Sequence, residues 1–291
     1  MNTIRDFKCT YGNSVGIQEE ITRDLPLKFP DAYCHRDSLA MLSKAVKDHD
    51  GASFCLLPFC RTIEAEALGA SIRLGDDKTG PRAGSYVCQS MEELLQLPKL
   101  NLQTPRLQET LAALSMLKQQ REITAYELTG PFTILNSLID VKYIFKAYRK
   151  DYDSLIAVLK KLQDDLCLLS EKVQDAGADI LILSDSAGAP SILGPRMTEK
   201  IMEDFTADFI QAVSDTIHSQ NILLLCPKFT YALLDTGYAE YRDHQTDTLD
   251  FTQALLKMRG TARIAGQTCI KNIGVQMKEP VFRELVLKQR P

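Results

Sequence analysis

The sequence predicts an α/β protein of the (β/α)8 TIM-barrel type, with an N-terminal extension over residues 1–30. Short apolar runs of strand character alternate with helical segments, which is the pattern of a parallel sheet covered by helices. The connections between these runs are long, and five or six such units favour a barrel over a doubly wound sheet. Neither GxGxxG nor GxxxxGKS/T follows a predicted strand, so the usual nucleotide-binding motifs of open sheets are missing. We therefore expect one barrel domain over residues 1–291.

The strand that anchors this interpretation is the apolar run at residues 180–183. Four consecutive branched residues without polar alternation indicate a strand that is buried on both faces. Asp185 follows this run, and α/β barrels place their chemistry at the carboxyl ends of their strands. Asp185 is therefore a candidate catalytic residue, although a carboxylate at this position also suits a cap on the turn that follows.

The other elements are predicted from the same patterns. Four more strands are expected at residues 53–59, 123–128, 221–226 and 261–266, and a last apolar run covers 281–287. Helical spacing predicts helices at 37–50, 61–68, 91–95, 107–120, 196–219, 229–234 and 251–258, and more than one helix over 142–174. Glu127 lies in an otherwise apolar strand, where a carboxylate needs a partner or solvent, so it is a second catalytic candidate.

The composition is that of an ordinary globular enzyme, with 45% hydrophobic and 25% charged residues. A net charge of −4 and the absence of a dense Lys/Arg run argue against a nucleic-acid partner. The sequence starts without an apolar signal core, and no stretch approaches the ~18 apolar residues of a membrane span, so we expect a cytoplasmic protein that binds no membrane. The eight cysteines include no CxxC pair, and most are expected to be reduced core residues.

Five motifs occur along the chain in one order, and together they carry a family resemblance. They are Phe-Cys-Arg-Thr-Ile-Glu-Ala-Glu-Ala-Leu-Gly-Ala at 59–70, Leu-Thr-Gly-Pro-Phe-Thr at 128–133, Ala-Gly-Ala-Asp-Ile-Leu-Ile-Leu-Ser-Asp at 176–185, Leu-Leu-Cys-Pro-Lys at 224–228 and Ile-Ala-Gly-Gln at 264–267. With this spacing the chain resembles the uroporphyrinogen decarboxylase superfamily over about residues 30–275, and more closely its methylcobamide:coenzyme M methyltransferase branch.

The resemblance implies transfer of a methyl group between a methylated corrinoid and a small-molecule acceptor, either a thiol or a folate-like compound. The corrinoid would be presented by a corrinoid protein or as free cobalamin. In that branch a zinc ion, held by a His-x-Cys and a later cysteine, binds the acceptor thiol and stabilises its thiolate. Cys226 matches the first cysteine, but Leu224 occupies the histidine position. The chain ends soon after Gln267, so a barrel shortened at its C-terminus is expected, with Cys269 as the one later cysteine.

These considerations predict an atypical metal site and a set of candidate site residues. Cys226 and Cys269 are the candidate metal ligands, although both also suit ordinary buried thiols. The candidates for catalysis are Asp185, Glu127 and Glu66, and those for cofactor contacts are His35, Glu64 and Asn136. Because strand ends meet on one face of a barrel, we expect Glu66, Glu127, Asp185 and Cys226 to converge on one cleft.

Two alternatives to a methyltransferase remain open at this point. The resemblance also includes a porphyrinogen decarboxylase, whose Arg-Gln-Ala-Gly-Arg signature holds substrate carboxylates with two arginines. The corresponding region of this chain supplies only Arg61. The other alternative is a non-catalytic paralogue that binds a corrinoid protein but has lost the zinc, as the leucine at position 224 indicates.

Overall fold

The computed structural model describes residues 4–9, 16–272 and 274–288, and these form a mixed α/β fold. The strands are β1 Cys55–Leu57, β2 Ile72–Arg73, β3 Arg82–Ala83, β4 Thr124–Thr129, β5 Ile180–Ser184, β6 Ile222–Leu225, β7 Ala239–Gln245, β8 Ile264–Ala265 and β9 Val281–Leu287. The helices are α1 Glu19–Thr22, α2 Arg36–Asp50, α3 Ile63–Ala67, α4 Met91–Gln96, α5 Pro105–Gln119, α6 Pro131–Leu138, α7 Val141–Lys150, α8 Tyr152–Asp175, α9 Pro190–Leu193, α10 Pro195–Ile201, α11 Ala207–Asp215, α12 Pro227–Asp235 and α13 Phe251–Met258.

Seven of these strands form one sheet in the order β1-β4-β5-β6-β8-β9-β7. The first five are parallel to one another, while β9 runs antiparallel to both β8 and β7. Strands β2 and β3 form a separate antiparallel pair. Within the described residues the hydrogen-bonded order runs from β1 to β7 and no pairing joins those two ends. The alternation of parallel strands with helices is that of a TIM-barrel type fold, and here an antiparallel pair, β9 and β7, lies at one end of the sheet.

All five predicted parallel strands are confirmed, and every residue in them except Leu56 is buried. Strands β4, β5 and β6 have no exposed or half-exposed residue. Strand β7 was not predicted, since its sequence Ala-Glu-Tyr-Arg-Asp-His-Gln is polar and only its first residue is buried. It lies at the end of the sheet, where solvent satisfies one side of the strand. The apolar run at 281–287 is strand β9.

The two faces of the sheet are covered by different elements. On one side, which we call the α13 face, Ala125, Ile182 and Leu224 pack with α13 and Phe282 of β9. On the other side, the α8 face, strand residues such as Leu183 pack with α5, α8 and α11. Because side chains alternate along a strand, residues an even number apart share a face. This alternation decides which way each polar residue at the strand ends points.

Most predicted helices are confirmed within a few residues of their predicted ends. The exception is the helix expected over 196–219, which is divided into α10, a π-helical turn at Met202–Thr206, and α11. Phe205 in this turn stacks on Phe209, with 5.3 Å between ring centroids. Residues 142–174 do form two helices, α7 and α8. Across the described ranges, none of the helices combines the length and apolarity that a membrane span requires.

Candidate functional site

Polar side chains replace apolar ones where three neighbouring strands of the α13 face end. Glu127, Ser184 and Cys226 belong to or directly follow β4, β5 and β6. Each lies two residues after an apolar residue of the α13 face, and these are Ala125, Ile182 and Leu224. The alternation of side chains therefore directs all three polar groups to the same face, at the carboxyl ends of the strands.

Glu127 is the centre of this group, although its side chain is almost completely buried. Its Oε1 accepts hydrogen bonds from Arg61 Nε at 2.9 Å, Arg61 Nη2 at 2.7 Å and Ser184 Oγ at 2.6 Å. Lys271 Nζ lies 3.6 Å from Oε2. Burial acts to raise the pKa of Glu127, but the two cations and the serine hydroxyl outweigh it and lower the pKa to about 2. The carboxylate is thus ionised at all physiological pH values.

The two cysteines predicted as metal ligands lie beside this charged group. Burial raises the pKa of the Cys226 thiol to about 12, and burial also raises the pKa of Cys269. Cys269 acts electrostatically on the Cys226 thiol, and Glu127 acts on both thiols. Both thiols therefore remain protonated near neutral pH in the absence of a metal ion, and zinc binding would release their protons.

The donors present at this position do not fit the zinc site of the methyltransferase branch. A protein zinc site needs three or four ligands. Leu224, in the histidine position, is buried among apolar side chains of the α13 face. Over residues 4–9, 16–272 and 274–288, no three His, Cys, Asp or Glu side chains are grouped so that they could hold a metal ion.

Asp185 faces away from Glu127 and caps helix α6. Its carboxylate accepts hydrogen bonds from the backbone N–H of Phe132 at 2.9 Å, Thr133 at 2.8 Å and Gly188 at 3.2 Å, and from Thr133 Oγ1 at 2.7 Å. Burial raises the pKa of Asp185, while these hydrogen bonds oppose the rise. A Cβ atom on Gly130 would lie 2.4 Å from the Asp185 Cβ, so this close approach requires glycine. These contacts are those of a helix cap.

Glu64 and Glu66, both on α3, belong to a second polar network beside β4. Glu64 is fully buried; its Oε1 accepts from Tyr126 Oη at 3.3 Å and from the Thr129 N–H at 3.1 Å. Burial raises the pKa of Glu64. Glu66 Oε2 accepts a hydrogen bond from Arg106 Nη1 at 2.6 Å. These two carboxylates thus contact β4 and α5, and not the Glu127 group.

The last two candidates are exposed. His35 precedes α2 at its N-cap position without capping the helix through its side chain, and Asn136 lies on the solvent side of α6. The structure therefore brings together Glu127, Cys226 and Cys269 among the predicted site residues. It places Asp185 at α6, Glu64 and Glu66 against β4 and α5, and His35 and Asn136 on the surface.

Three members of the Glu127 group were not among the candidates. Ser184 could have been found from the sequence, because it shares the parity of Ile180 and Ile182 and so faces Glu127. Arg61 and Lys271 come from loops after β1 and β8, and loop conformation has no comparable sequence signal.

Comparison with known proteins identifies a family and several relatives. A family model described as uroporphyrinogen decarboxylase (URO-D) matches residues 16–266. The methylcobamide:CoM methyltransferase MtaA of Methanosarcina barkeri is 23% identical over 219 residues, which are 74% of this chain and 63% of that protein. The methylcobamide:CoM methyltransferase MtbA of Methanosarcina mazei is 22% identical over 208 residues, 70% of this chain and 61% of that protein. The chain thus spans about three-fifths of the length of these curated relatives.

A solved structure described as a methyltransferase from Methanosarcina mazei has the same fold. It superimposes with a TM-score of 0.65 at 21% sequence identity, over 77% of this chain and 68% of that one.

Proposed function

Because the chain belongs to the uroporphyrinogen decarboxylase family, we propose that it is a methyltransferase-like protein. In this proposal it moves a methyl group between a methylated corrinoid and a small-molecule acceptor, either a thiol or a folate-like compound. The observation that carries the proposal is the similarity to two methylcobamide:CoM methyltransferases over 70% or more of the chain. The methylated corrinoid is the co-substrate, presented by a corrinoid protein or as free cobalamin.

The Glu127 group supplies the polar part of the proposed acceptor site. Arg61 and Lys271 both contact the Glu127 carboxylate, and the neighbouring thiol of Cys226 is protonated. Two cations beside one carboxylate favour an acceptor with an anionic group. Since these charges are held in a largely buried setting, they orient such a ligand without a large cost of reorganisation.

Zinc at Cys226 and Cys269 is the prediction from the sequence, but we expect little zinc there while a leucine occupies position 224. The donors present do not complete a zinc shell, so we derive no step through a metal ion. What the chain's own residues do in this proposal is to hold the acceptor and to keep Glu127 ionised through Arg61, Lys271 and Ser184.

The experiment that tests the proposal follows the visible absorbance of methylcobalamin mixed with the protein. 2-Mercaptoethanesulfonate and tetrahydrofolate are offered separately as acceptors, and the methylated product is identified by mass spectrometry. We expect an acceptor-dependent loss of methylcobalamin whose rate falls by about a hundredfold in Glu127→Gln, because the carboxylate no longer holds Arg61 and Lys271 in position. Glu240→Gln, at an exposed ion pair with Lys288, is the matched control and should retain the wild-type rate. A folded protein that forms no methylated product with either acceptor contradicts the proposal.

One observation favours a second candidate, the non-catalytic paralogue. Leu224 places a buried apolar side chain at the position that a metal-binding histidine occupies in the methylcobamide:coenzyme M methyltransferase branch. Binding of cobalamin, measured by equilibrium dialysis, without any methyl transfer in the experiment above would support this candidate. Conversion of uroporphyrinogen by the same preparation would instead support the decarboxylase alternative.

A further inference from the structure

The second polar network contains a cysteine whose sulfur is surrounded by hydrogen-bond donors. Cys60 Sγ accepts from Arg106 Nη2 at 3.2 Å and from Thr62 Oγ1 at 3.2 Å. The side chain of Cys60 is partly exposed, whereas Arg106 and Thr62 are buried. In the part of the chain that the structure describes, the Cys60 thiol donates no hydrogen bond. Two donors and no acceptor are the surroundings that suit a sulfur carrying negative charge.

The guanidinium of Arg106 also has one N–H group without a hydrogen-bond partner among the described residues. In a guanidinium group, Nε–H and one Nη2–H point the same way and form an edge that fits two acceptor atoms. With this edge Arg36 donates hydrogen bonds to both carboxylate oxygens of Glu109. Arg106 offers the same edge to Cys60, but only Nη2 finds an acceptor, the sulfur. Its Nε is buried and has no hydrogen-bond partner among the described residues.

The remaining bonds of Arg106 hold this edge in place. Nη1 donates to Glu66 Oε2 at 2.6 Å, and the Arg106 side chain is only 6% exposed. The guanidinium therefore cannot turn its Nε toward solvent without breaking this partly buried ion pair. The free Nε–H belongs to the same edge as the Nη2–H that reaches the sulfur, so it faces the side of the guanidinium on which Cys60 lies.

We propose that Cys60 is a peroxide-sensitive thiol whose sulfenate is held by the Nε–Nη2 edge of Arg106. The Cys60 thiolate attacks one oxygen of hydrogen peroxide, an S–O bond forms as the O–O bond breaks, and hydroxide leaves and is protonated by solvent. The sulfur is oxidised by two electrons and the peroxide is reduced to water. In the product, sulfur keeps its bond with Nη2 and the new oxygen accepts from Nε. The unmatched donor is thereby satisfied.

Other thiols of the chain lack these surroundings. Burial raises the pKa of Cys55, Cys88, Cys167, Cys226 and Cys269, so each of them is protonated near neutral pH. Burial likewise raises the pKa of Cys34, although Arg106 opposes the rise. Because the thiolate is the form that reacts with peroxide, these protonated thiols should react slowly. Cys9 is exposed and is the relevant competitor.

The test treats the intact chain with hydrogen peroxide, traps sulfenic acid with dimedone and measures the label on each cysteine peptide by mass spectrometry. We expect Cys60 to be labelled about tenfold faster than any other cysteine. Thr62→Val, which removes one donor to the sulfur, should slow this labelling several-fold. Arg106→Lys keeps the charge but removes the edge, so the sulfenic acid should pass more quickly to sulfinic acid. Arg36→Lys removes an equivalent edge elsewhere and should leave labelling unchanged.

Circular dichroism confirms that each variant is folded before its labelling is compared. If Cys9 or another cysteine is labelled faster than Cys60, the proposal is overturned. It is also overturned if Thr62→Val is labelled at the wild-type rate and Arg106→Lys forms sulfinic acid no faster than the wild type. This inference does not depend on the proposed methyl transfer, and Cys60→Ser should remove the label whatever reaction the Glu127 group supports.

Discussion

At the scale of single residues, the charge state of Glu127 has the widest consequences. The carboxylate joins three other segments, because Arg61, Ser184 and Lys271 come from different parts of the chain. Its pKa of about 2 lies below the ordinary value of 4.5. The stabilisation that it provides is therefore fully present above pH 4.5 and is lost as the pH falls toward 2.

Replacing Glu127 by glutamine should destabilise the protein by about 3 kcal/mol near neutral pH, since two cations lose a buried partner. The measurement is urea denaturation at several pH values. The difference between wild type and variant should narrow as the pH falls below 4.5, because the wild-type carboxylate then begins to be protonated in the unfolded chain. Glu240→Gln, at an exposed pair, should change the free energy of unfolding by less than about 1 kcal/mol. If the difference in unfolding free energy between wild type and Glu127→Gln stays constant down to pH 3, the fold does not stabilise Glu127 as an anion.

Leu224 allows a residue-scale test of the metal prediction. It shares the α13 face with Cys226, so a histidine at 224 would present its ring on the side of the cysteine. We expect wild-type protein purified without chelator to contain clearly less than one zinc per chain, and Leu224→His to contain more. Elemental analysis by mass spectrometry provides the measurement, and Leu224→His combined with Cys226→Ala is the control that should lose the gain. Equal zinc in wild type and Leu224→His would refute this expectation.

At the scale of elements, the cap on α6 explains why a buried carboxylate follows β5. Asp185 satisfies the N–H groups of Phe132 and Thr133, which helix α6 leaves without intrahelical partners. Asp140 caps α7 in the same way through the Lys142 N–H at 2.9 Å, but it lies near the surface. The two caps differ in burial, and burial determines what a lost acceptor costs.

Asp185→Ala should therefore cost about 3 kcal/mol of unfolding free energy, because several buried donors lose their acceptor together. Asp140→Ala is the matched control and should cost about 1 kcal/mol, since water can replace the lost cap. Urea denaturation measures both. If the two substitutions prove equally costly, burial of the Asp185 cap does not contribute as argued.

The same elements show what the sequence could predict. The five parallel strands of the sheet could be predicted because strands that are buried on both faces favour apolar residues, as at residues 180–183. Strand β7 was not predicted, because it is stabilised by pairing with β9 at seven positions and has no apolar pattern of its own. Long-range pairing leaves no periodic signal in the paired segment when one side faces water.

The candidate site was predictable to the same extent and for the same reason. Glu127 and Cys226 were found because they end apolar strands, and their common parity places them on one face. Asp185 has the opposite parity from Ser184, so it turns to α6 instead. The partners Arg61 and Lys271 depend on how two loops fold over the strand ends, which the local sequence does not determine.

At the scale of the whole molecule, the two apolar layers share one sheet and should unfold together. Phe282 belongs to the layer on the α13 face and Phe209 to the layer on the α8 face, and both are fully buried. Each stacks on another phenylalanine, Phe282 on Phe251 at 6.1 Å and Phe209 on Phe205 at 5.3 Å between ring centroids. Because β4, β5 and β6 contribute side chains to both layers, neither layer can be lost while the sheet stays intact.

We therefore expect Phe282→Ala and Phe209→Ala each to destabilise the whole protein by about 3–5 kcal/mol. The chain contains ten tyrosines and no tryptophan, so near-ultraviolet circular dichroism of tyrosine reports tertiary packing, and far-ultraviolet circular dichroism reports the helices. In urea, the two signals should have coincident midpoints in the wild type and in both variants, with the midpoint lowered in each variant. If Phe282→Ala separates the two midpoints while Phe209→Ala does not, the layer on the α13 face unfolds on its own and the expectation of one cooperative barrel domain is wrong.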